Sequence, residues 1–273
     1  MKKVLVIGAA GYLGQVLCAT CRDEAGVAVY GTCRLGATTV SNLYPLALLD
    51  GCGVAALVDE LAPDVVVWCA KDEAREYELN DVGLRNLLAA LGASVRLIYL
   101  STALADGAGQ NEQTPPQSRA AGAYLSGYVN GKILGENLAR SHGNHIIIRP
   151  GQIYGRGANG QADSRMRRLA DAIAANGTMT RSANALISVI HVEDLARCIV
   201  ELIDHTVTGT FCLAAERPVS YYDFYRHLAG QIGVDSEKIV PIYDEKPAHC
   251  YFDVTKAKSM LGTPLRMLEG TTR

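Results

Sequence analysis

The run Val4, Leu5, Val6, Ile7, Gly8, Ala9, Ala10, Gly11, Tyr12, Leu13, Gly14 constrains this chain more than any other stretch. Apolar residues in a row, without alternation, mark a strand covered on both faces in a parallel sheet. Gly8 permits a tight turn after that strand, Gly11 leaves room for an anionic ligand to approach the backbone, and Gly14 lets the next helix press on the sheet. The helix opened there, starting with Tyr12 and Leu13, offers free N–H groups and the positive end of its dipole. Strand, glycine turn and helix, at the head of an alternating chain, form the context in which such a pattern holds a dinucleotide pyrophosphate. A glycine-rich turn between ordinary elements is the plainer alternative.

At 273 residues, 49% hydrophobic and 20% charged, the chain suits one large α/β domain with a smaller appended region. A net charge of -2 gives no electrostatic reason to expect nucleic acid or an anionic membrane as partner, so a small-molecule ligand is expected. Met1, Lys2 and Lys3 imitate the charged start of a signal peptide, yet Val4 to Ile7 run straight into glycines with no long apolar region. No apolar run reaches membrane-spanning length, and a cytoplasmic location is expected. The eight cysteines are scattered through core elements of a large chain, which favours reduced, buried thiols over disulfides. Cys18 and Cys21 have redox-motif spacing, but inside a helix that spacing places both on one face, and packing is the expected role.

The second strand, residues 27–33, ends without the acid that would bind the ribose hydroxyls of NAD. Arg34 follows instead, with Thr32 and Ser41 near it, a set suited to the extra phosphate of NADP(H); NAD(H) stays open, as does a solvated role for Arg34. Residues 45–50 read as a third strand, 54–61 as a helix, 64–70 as a fourth strand and 73–91 as a helix in which Asn80 needs a buried partner. Asp50 stands where it can cap the second helix.

Strand five, residues 95–100, delivers Ser101 and Thr102 at its carboxyl end, where open α/β sheets bind ligands. After a loop at 106–118, a helix expected from about Ala120 carries Tyr128 and Lys132, which share one face at this spacing. An ammonium beside a phenol favours the phenolate, so Tyr128 can exchange a proton with a carbonyl oxygen while Thr102 holds that oxygen in place. Strand six, 145–149, ends in Pro150 and Gly151.

The two-residue gap between Gly8 and Gly11, the Ser101-Thr102 pair, the run Tyr128 to Glu136 around Lys132, and the run Ile148 to Gly155 together resemble the extended short-chain dehydrogenase/reductases over nearly the whole chain. Within that family the pattern looks most like the dTDP-4-dehydrorhamnose reductase and sugar-nucleotide ketoreductase branch. The resemblance implies a Rossmann-type doubly wound parallel sheet with a smaller C-terminal substrate region. It implies Thr102, Tyr128 and Lys132 as catalytic residues. Gly8, Gly11, Tyr12, Leu13, Gly14, Thr32, Arg34, Ala70, Ser101 and Pro150, with Tyr128 and Lys132, are the implied cofactor contacts. It further places Asp50 beside the adenine, with helix capping an equal alternative, and lets Asn80 support the site through backbone or water contacts. Arg156, Arg165 and Arg168 lie in the region whose arginines grip a substrate pyrophosphate, a solvated basic helix face being the alternative. The chain departs from the branch at Ala103 and Leu104, where an acid and an aromatic usually follow the threonine, and in the short segment from Ala70 to Asn80, which also holds Lys71. Both changes touch substrate-facing loops.

The expected division is a dinucleotide-binding unit at 1–150, rejoined by about 185–214, with 151–184 and 215–273 forming the substrate side. His191 reads as structural, with no metal site expected. Gly127, Gly131, Gly135 and Ala139 form a stripe that serves either tight packing within the chain or a helix of a second subunit, and the resemblance implies a homodimer. The functional expectation is NADP(H)-dependent reduction of a keto group on a sugar nucleotide or similar polar molecule. A sugar-nucleotide epimerase or dehydratase, or an idle cofactor-binding regulator, are the rivals.

Overall fold

The computed structural model describes residues 1–34, 42–158, 160 and 162–268; Ser41 lies outside them. Its centre is a seven-stranded sheet of β1 (Lys2–Ile7), β2 (Val27–Cys33), β3 (Leu43–Pro45), β4 (Val65–Trp68), β5 (Arg96–Leu100), β6 (His145–Pro150) and β7 (Gly209–Leu213). The spatial order is β7-β6-β5-β4-β1-β2-β3, and every neighbouring pair is parallel. The order reverses between β1 and β4, so a crevice opens where the loops leaving these two strands part. The expected doubly wound α/β architecture is therefore present.

Each face of the sheet is covered, as the unbroken apolar runs require. On one side α1 (Tyr12–Arg22) and α6 (Val192–Asp204) pack Leu17, Cys21, Leu195 and Ile199 over Val4, Val6 and Ile146. On the other, α2 (Gly51–Leu61) and α3 cover Leu5, Ile7, Trp68 and Tyr99 with Val54, Leu57, Leu84 and Leu87. Helix α3 runs through Glu76–Glu78, a π-helical stretch Leu79–Leu84, and Arg85–Ala90. Cys18 and Cys21 are buried in the first of these cores, and burial pushes their thiols up to about 11 and about 12.

Helix α4 (Ser126–Ser141) crosses the site. It begins later than the expected Ala120, because Gly122 and Leu125 both adopt positive φ, 81° and 56°, which interrupts helical geometry. Asn130 also holds the preceding segment alongside the helix by bonding both the N–H and the carbonyl of Arg119. Helices α5 (Ser164–Asn176) and α7 (Tyr221–Gln231) share a separate core of Met166, Leu169, Phe224 and Leu228. A last short helix, α8 (Thr255–Met260), packs Ala257 back on the first core. Among the described residues no helix is long and apolar enough to cross a membrane.

Strand β3 corrects the expectation of a strand at 45–50. It ends at Pro45, and residues 46–50 turn into α2 with the Asp50 N–H bonded to the Ala47 carbonyl. The apolar run there lies along a cleft wall rather than in the sheet.

Candidate active site

A cleft of about 1160 Å³ occupies the crevice above β1 and β4. It exceeds the range of roughly 300–1,000 Å³ typical of small-ligand pockets, so a dinucleotide and a second molecule can share it. One wall is the turn from Gly8 to Gly14. Gly8 has φ 86°, and a Cβ there would come within 2.9 Å of the Ala70 backbone. At Gly14 a Cβ would strike the Gly8 carbonyl oxygen at 2.3 Å. Glycine is thus required for the turn and for the close approach of α1, and the cradle left between them suits a pyrophosphate. Tyr12 ties this wall to the opposite side by donating its hydroxyl to the Gly155 carbonyl, 2.8 Å away.

Gly8, Gly11, Tyr12, Leu13, Gly14, Thr32, Arg34, Ala70, Ser101, Thr102, Tyr128, Lys132, Pro150, Arg165 and Arg168 all line this one cleft. Several have local partners that define what they can do. Thr32 is buried, and its hydroxyl accepts the Gly8 N–H at 3.1 Å, steadying the turn. Arg34 is exposed at the cleft edge and pairs at 2.7 Å with Asp72, 38 residues further along the chain. Arg165 spends its guanidinium on Asp163, Gln152 and the Ile153 carbonyl. Arg168, with Arg167 beside it, stays exposed along the cleft.

Two expected site residues are not among those lining this cleft. Asp50 is exposed and not part of the cleft lining; its carboxylate accepts the Cys52 N–H and caps α2, while Leu46, Ala47, Leu48 and Leu49 line the cleft in its stead. Arg156 is likewise outside the cleft lining and donates to the carbonyls of Gly160 and Gln231. His191 caps α6 by accepting the Glu193 N–H. Among the described residues no three His, Cys, Asp or Glu side chains stand together as metal ligands.

The centre of the cleft is where β5 ends and α4 passes. Ser101 is buried, Thr102 and Tyr128 are half-buried, and Lys132 is 3% exposed. The Lys132 ammonium donates to the Leu100 carbonyl at 2.9 Å and forms an ion pair with Glu76 at the same distance. Glu76 is 1% exposed and also accepts Asn80 Nδ2 at 3.0 Å and the Asp72 N–H at 2.9 Å. Asn80 in turn accepts the Tyr99 hydroxyl at 2.8 Å. The partner that Asn80 needed is therefore a buried network, and it lies in the π-helical turn of α3, a distortion frequent at functional sites. Burial pulls the Lys132 ammonium down, but its surroundings, among them the Glu76 carboxylate paired with it, outweigh that and hold it above the ordinary lysine value. Lys71 stands 5.1 Å from the centre of the Tyr128 ring.

Glu76 was not legible as a site residue, since it is one of several acids between Asp72 and Glu78. The available signal was its position four residues before Asn80, on the same helical face. The glycine stripe is filled from within: a Cβ at Gly131 would meet the Glu76–Tyr77 peptide at 2.7 Å, and one at Gly135 the Tyr99 hydroxyl at 1.9 Å, while Gly127 faces open space.

The model of the NAD dependent epimerase/dehydratase family matches residues 4–212. A dTDP-4-keto-6-deoxy-D-glucose reductase of Streptomyces niveus is 27% identical over 261 residues, covering 89% of this chain and 83% of its own. Among solved structures, the Bordetella bronchiseptica enzyme WbmH in complex with NAD+ superposes with a TM-score of 0.81 at 21% identity, covering 98% of this chain and 95% of its own. The dTDP-4-dehydrorhamnose reductase of Bacillus anthracis in complex with NADP gives a TM-score of 0.71 at 19% identity, covering 97% and 94%. A dinucleotide turn at the switch point, a tyrosine and lysine on one helix at the end of β5, and a family match across both make this chain a member of the NAD-dependent epimerase/dehydratase family, an enzyme of the extended short-chain dehydrogenase/reductase type that works with a nicotinamide dinucleotide.

Proposed function

We propose that the protein is an NADP(H)-dependent reductase of a keto group on a nucleotide-linked sugar. The observation that carries this reading is that Thr102, Tyr128 and a buried, charge-paired Lys132 line the same cleft as the glycine turn. The turn from Gly8 to Gly14 and the α1 N-terminus would hold the pyrophosphate, Leu46 to Leu49 would border the adenosine end, and Pro150 and Gly151 would face the nicotinamide end. When bound, the reduced nicotinamide supplies the hydride. Tyr128 donates its phenolic proton to the substrate carbonyl oxygen, a step of general acid catalysis that contributes roughly 10²–10⁴-fold. Thr102 holds that oxygen by its hydroxyl, and Lys132 keeps a positive charge beside the phenol as the proton leaves.

The preference for NADP(H) is supported by Arg34 at the cleft edge and by the lack of an acid at the end of β2. The neighbouring Asp72 reduces that preference without removing it, because an exposed ion pair is weak and an exposed guanidinium can exchange partners. Arg167 and Arg168 give the substrate side exposed positive charge suited to a nucleotide diphosphate. Reduction is favoured over dehydration because Ala103 and Leu104, directly after Thr102, provide no acid or base. The Streptomyces niveus relative, a reductase of a dTDP-4-keto sugar, points the same way. A screen of nucleotide-linked and free keto sugars, read by NADPH consumption, tests the assignment. Consumption with a nucleotide-linked 4-keto sugar is expected, and consumption with none of them contradicts it.

A further inference from the structure

We propose that Glu76 is a positioning residue for the reacting pair: through their buried ion pair it holds Lys132 in place and keeps it charged beside Tyr128. The inference rests on the reading of these two residues as the reacting pair. The geometry is a closed set of contacts. Lys132 has three N–H donors; one is taken by the Leu100 carbonyl and one by Glu76, which leaves one for the cleft. Glu76 is itself fixed from two sides, by Asn80 on its own helix and by the Asp72 N–H in the loop after β4. Gly131 allows this, since its missing Cβ lets the Glu76 backbone lie directly against α4 one residue before Lys132.

The charges around the pair are few. Tyr128 lies on the same helix as Lys132, the Tyr99 ring of β5 is centred 5.1 Å from the ammonium, and Cys69 at the end of β4 is close enough to feel its charge. Lys71 stands above the Tyr128 ring, and Glu136, the next acid along α4, is bound by Arg149 and Arg140. Burial raises both Tyr99 and Cys69 well above their ordinary values, so neither carries a negative charge near neutral pH. Among the described residues, Glu76 is the one carboxylate paired with Lys132. Lys132 releases its proton at lower pH once the neighbouring negative charge is gone.

The test is Glu76→Gln, which keeps size and an acceptor oxygen but removes the charge. Two profiles are measured across pH on folded protein: kcat/KM for NADPH-dependent reduction of dTDP-4-keto-6-deoxy-D-glucose, and NADPH affinity by titration. The alkaline limb of both profiles is expected to move down by about one pH unit or more, whatever loss is common to every pH. A loss of the same size at every pH with the limbs unmoved, or profiles that coincide with wild type, overturns the proposal, since a merely structural glutamate produces one of these. If no turnover is found with the keto sugar, the functional assignment fails separately, and the affinity profile still decides the role of Glu76. If Glu76→Gln does not fold, the double variant Glu76→Gln/Lys132→Met is used. Recovery of folding in the double variant supports mutual charge pairing, and continued unfolding overturns it in favour of a purely structural tie to Asp72 and Asn80.

Discussion

Gly131 of α4 lies against the peptide joining Glu76 to Tyr77, so close that a Cβ would stand 2.7 Å from the Glu76 carbonyl carbon. The same approach brings the Glu76 carboxylate to Lys132 and seats Gly135 on the Tyr99 hydroxyl. Helix packing and site chemistry therefore share one contact. Gly131→Ala should destabilise the protein by about 2 kcal/mol, because the added methyl meets backbone that cannot turn aside. Gly127→Ala, which meets nothing within 4 Å, should be neutral or stabilising by up to about 1 kcal/mol. Equal unfolding midpoints in denaturant for the two variants would contradict this packing.

Tyr128→Phe should lower kcat by roughly 10²-fold or more while NADPH affinity changes little, because only the proton donor is removed. Lys132→Met should lose both turnover and cofactor affinity, since Lys132 also lines the cleft. Steady-state kinetics beside NADPH titration separates the two effects. Tyr128→Phe with a wild-type kcat would remove the assignment of the phenol.

Arg34 and Asp72 make opposite predictions for the cofactor. Arg34→Ala should weaken NADPH by roughly tenfold and leave NADH nearly unchanged, the cost of one charge-assisted phosphate contact. Asp72→Asn releases the guanidinium from its partner and should tighten NADPH by about threefold. Dissociation constants for both cofactors check this, and equal NADPH and NADH affinities in the wild type would refute it.

His191 makes stability depend on pH. Burial, together with Arg266, lowers its affinity for a proton below the unfolded value of 6.5, and the neutral ring accepts the Glu193 N–H at the start of α6. The unfolded chain thus binds more protons, so this contribution is complete above about pH 6.5 and is lost as pH falls through the lower folded value. The Tm of wild type should drop more steeply below about pH 6.5 than that of His191→Asn, which caps the helix without titrating. Parallel curves would show that the imidazole does not matter.

The parts legible in the sequence are those that local chemistry dictates. The apolar run of β1, Gly8, and the spacing of Tyr128 and Lys132 each constrain their neighbours directly, and the sheet and cleft follow from them. What escaped depends on partners that the sequence alone does not pair. Asp50 and a cofactor-facing acid look alike until Cys52 is seen to donate to Asp50. Arg156 looks as available as Arg168 until Gln231, far along the chain, turns out to receive it. The spacing to Asn80 sets Glu76 apart from Glu73 and Glu78, but its pairing with Lys132 depends on the close approach of α4 that Gly131 allows.

The central claim is net reduction of a sugar-linked ketone, and it is tested most directly by balancing cofactor against product. The protein is incubated with NADPH and dTDP-4-keto-6-deoxy-D-glucose, NADPH loss is followed by absorbance, and the sugar is then analysed by NMR. The account predicts that each NADPH oxidised yields one new secondary alcohol in place of the keto group, and that Tyr128→Phe yields none. Conversion of the sugar without net loss of NADPH, or the absence of any conversion across nucleotide-linked keto sugars, would contradict it.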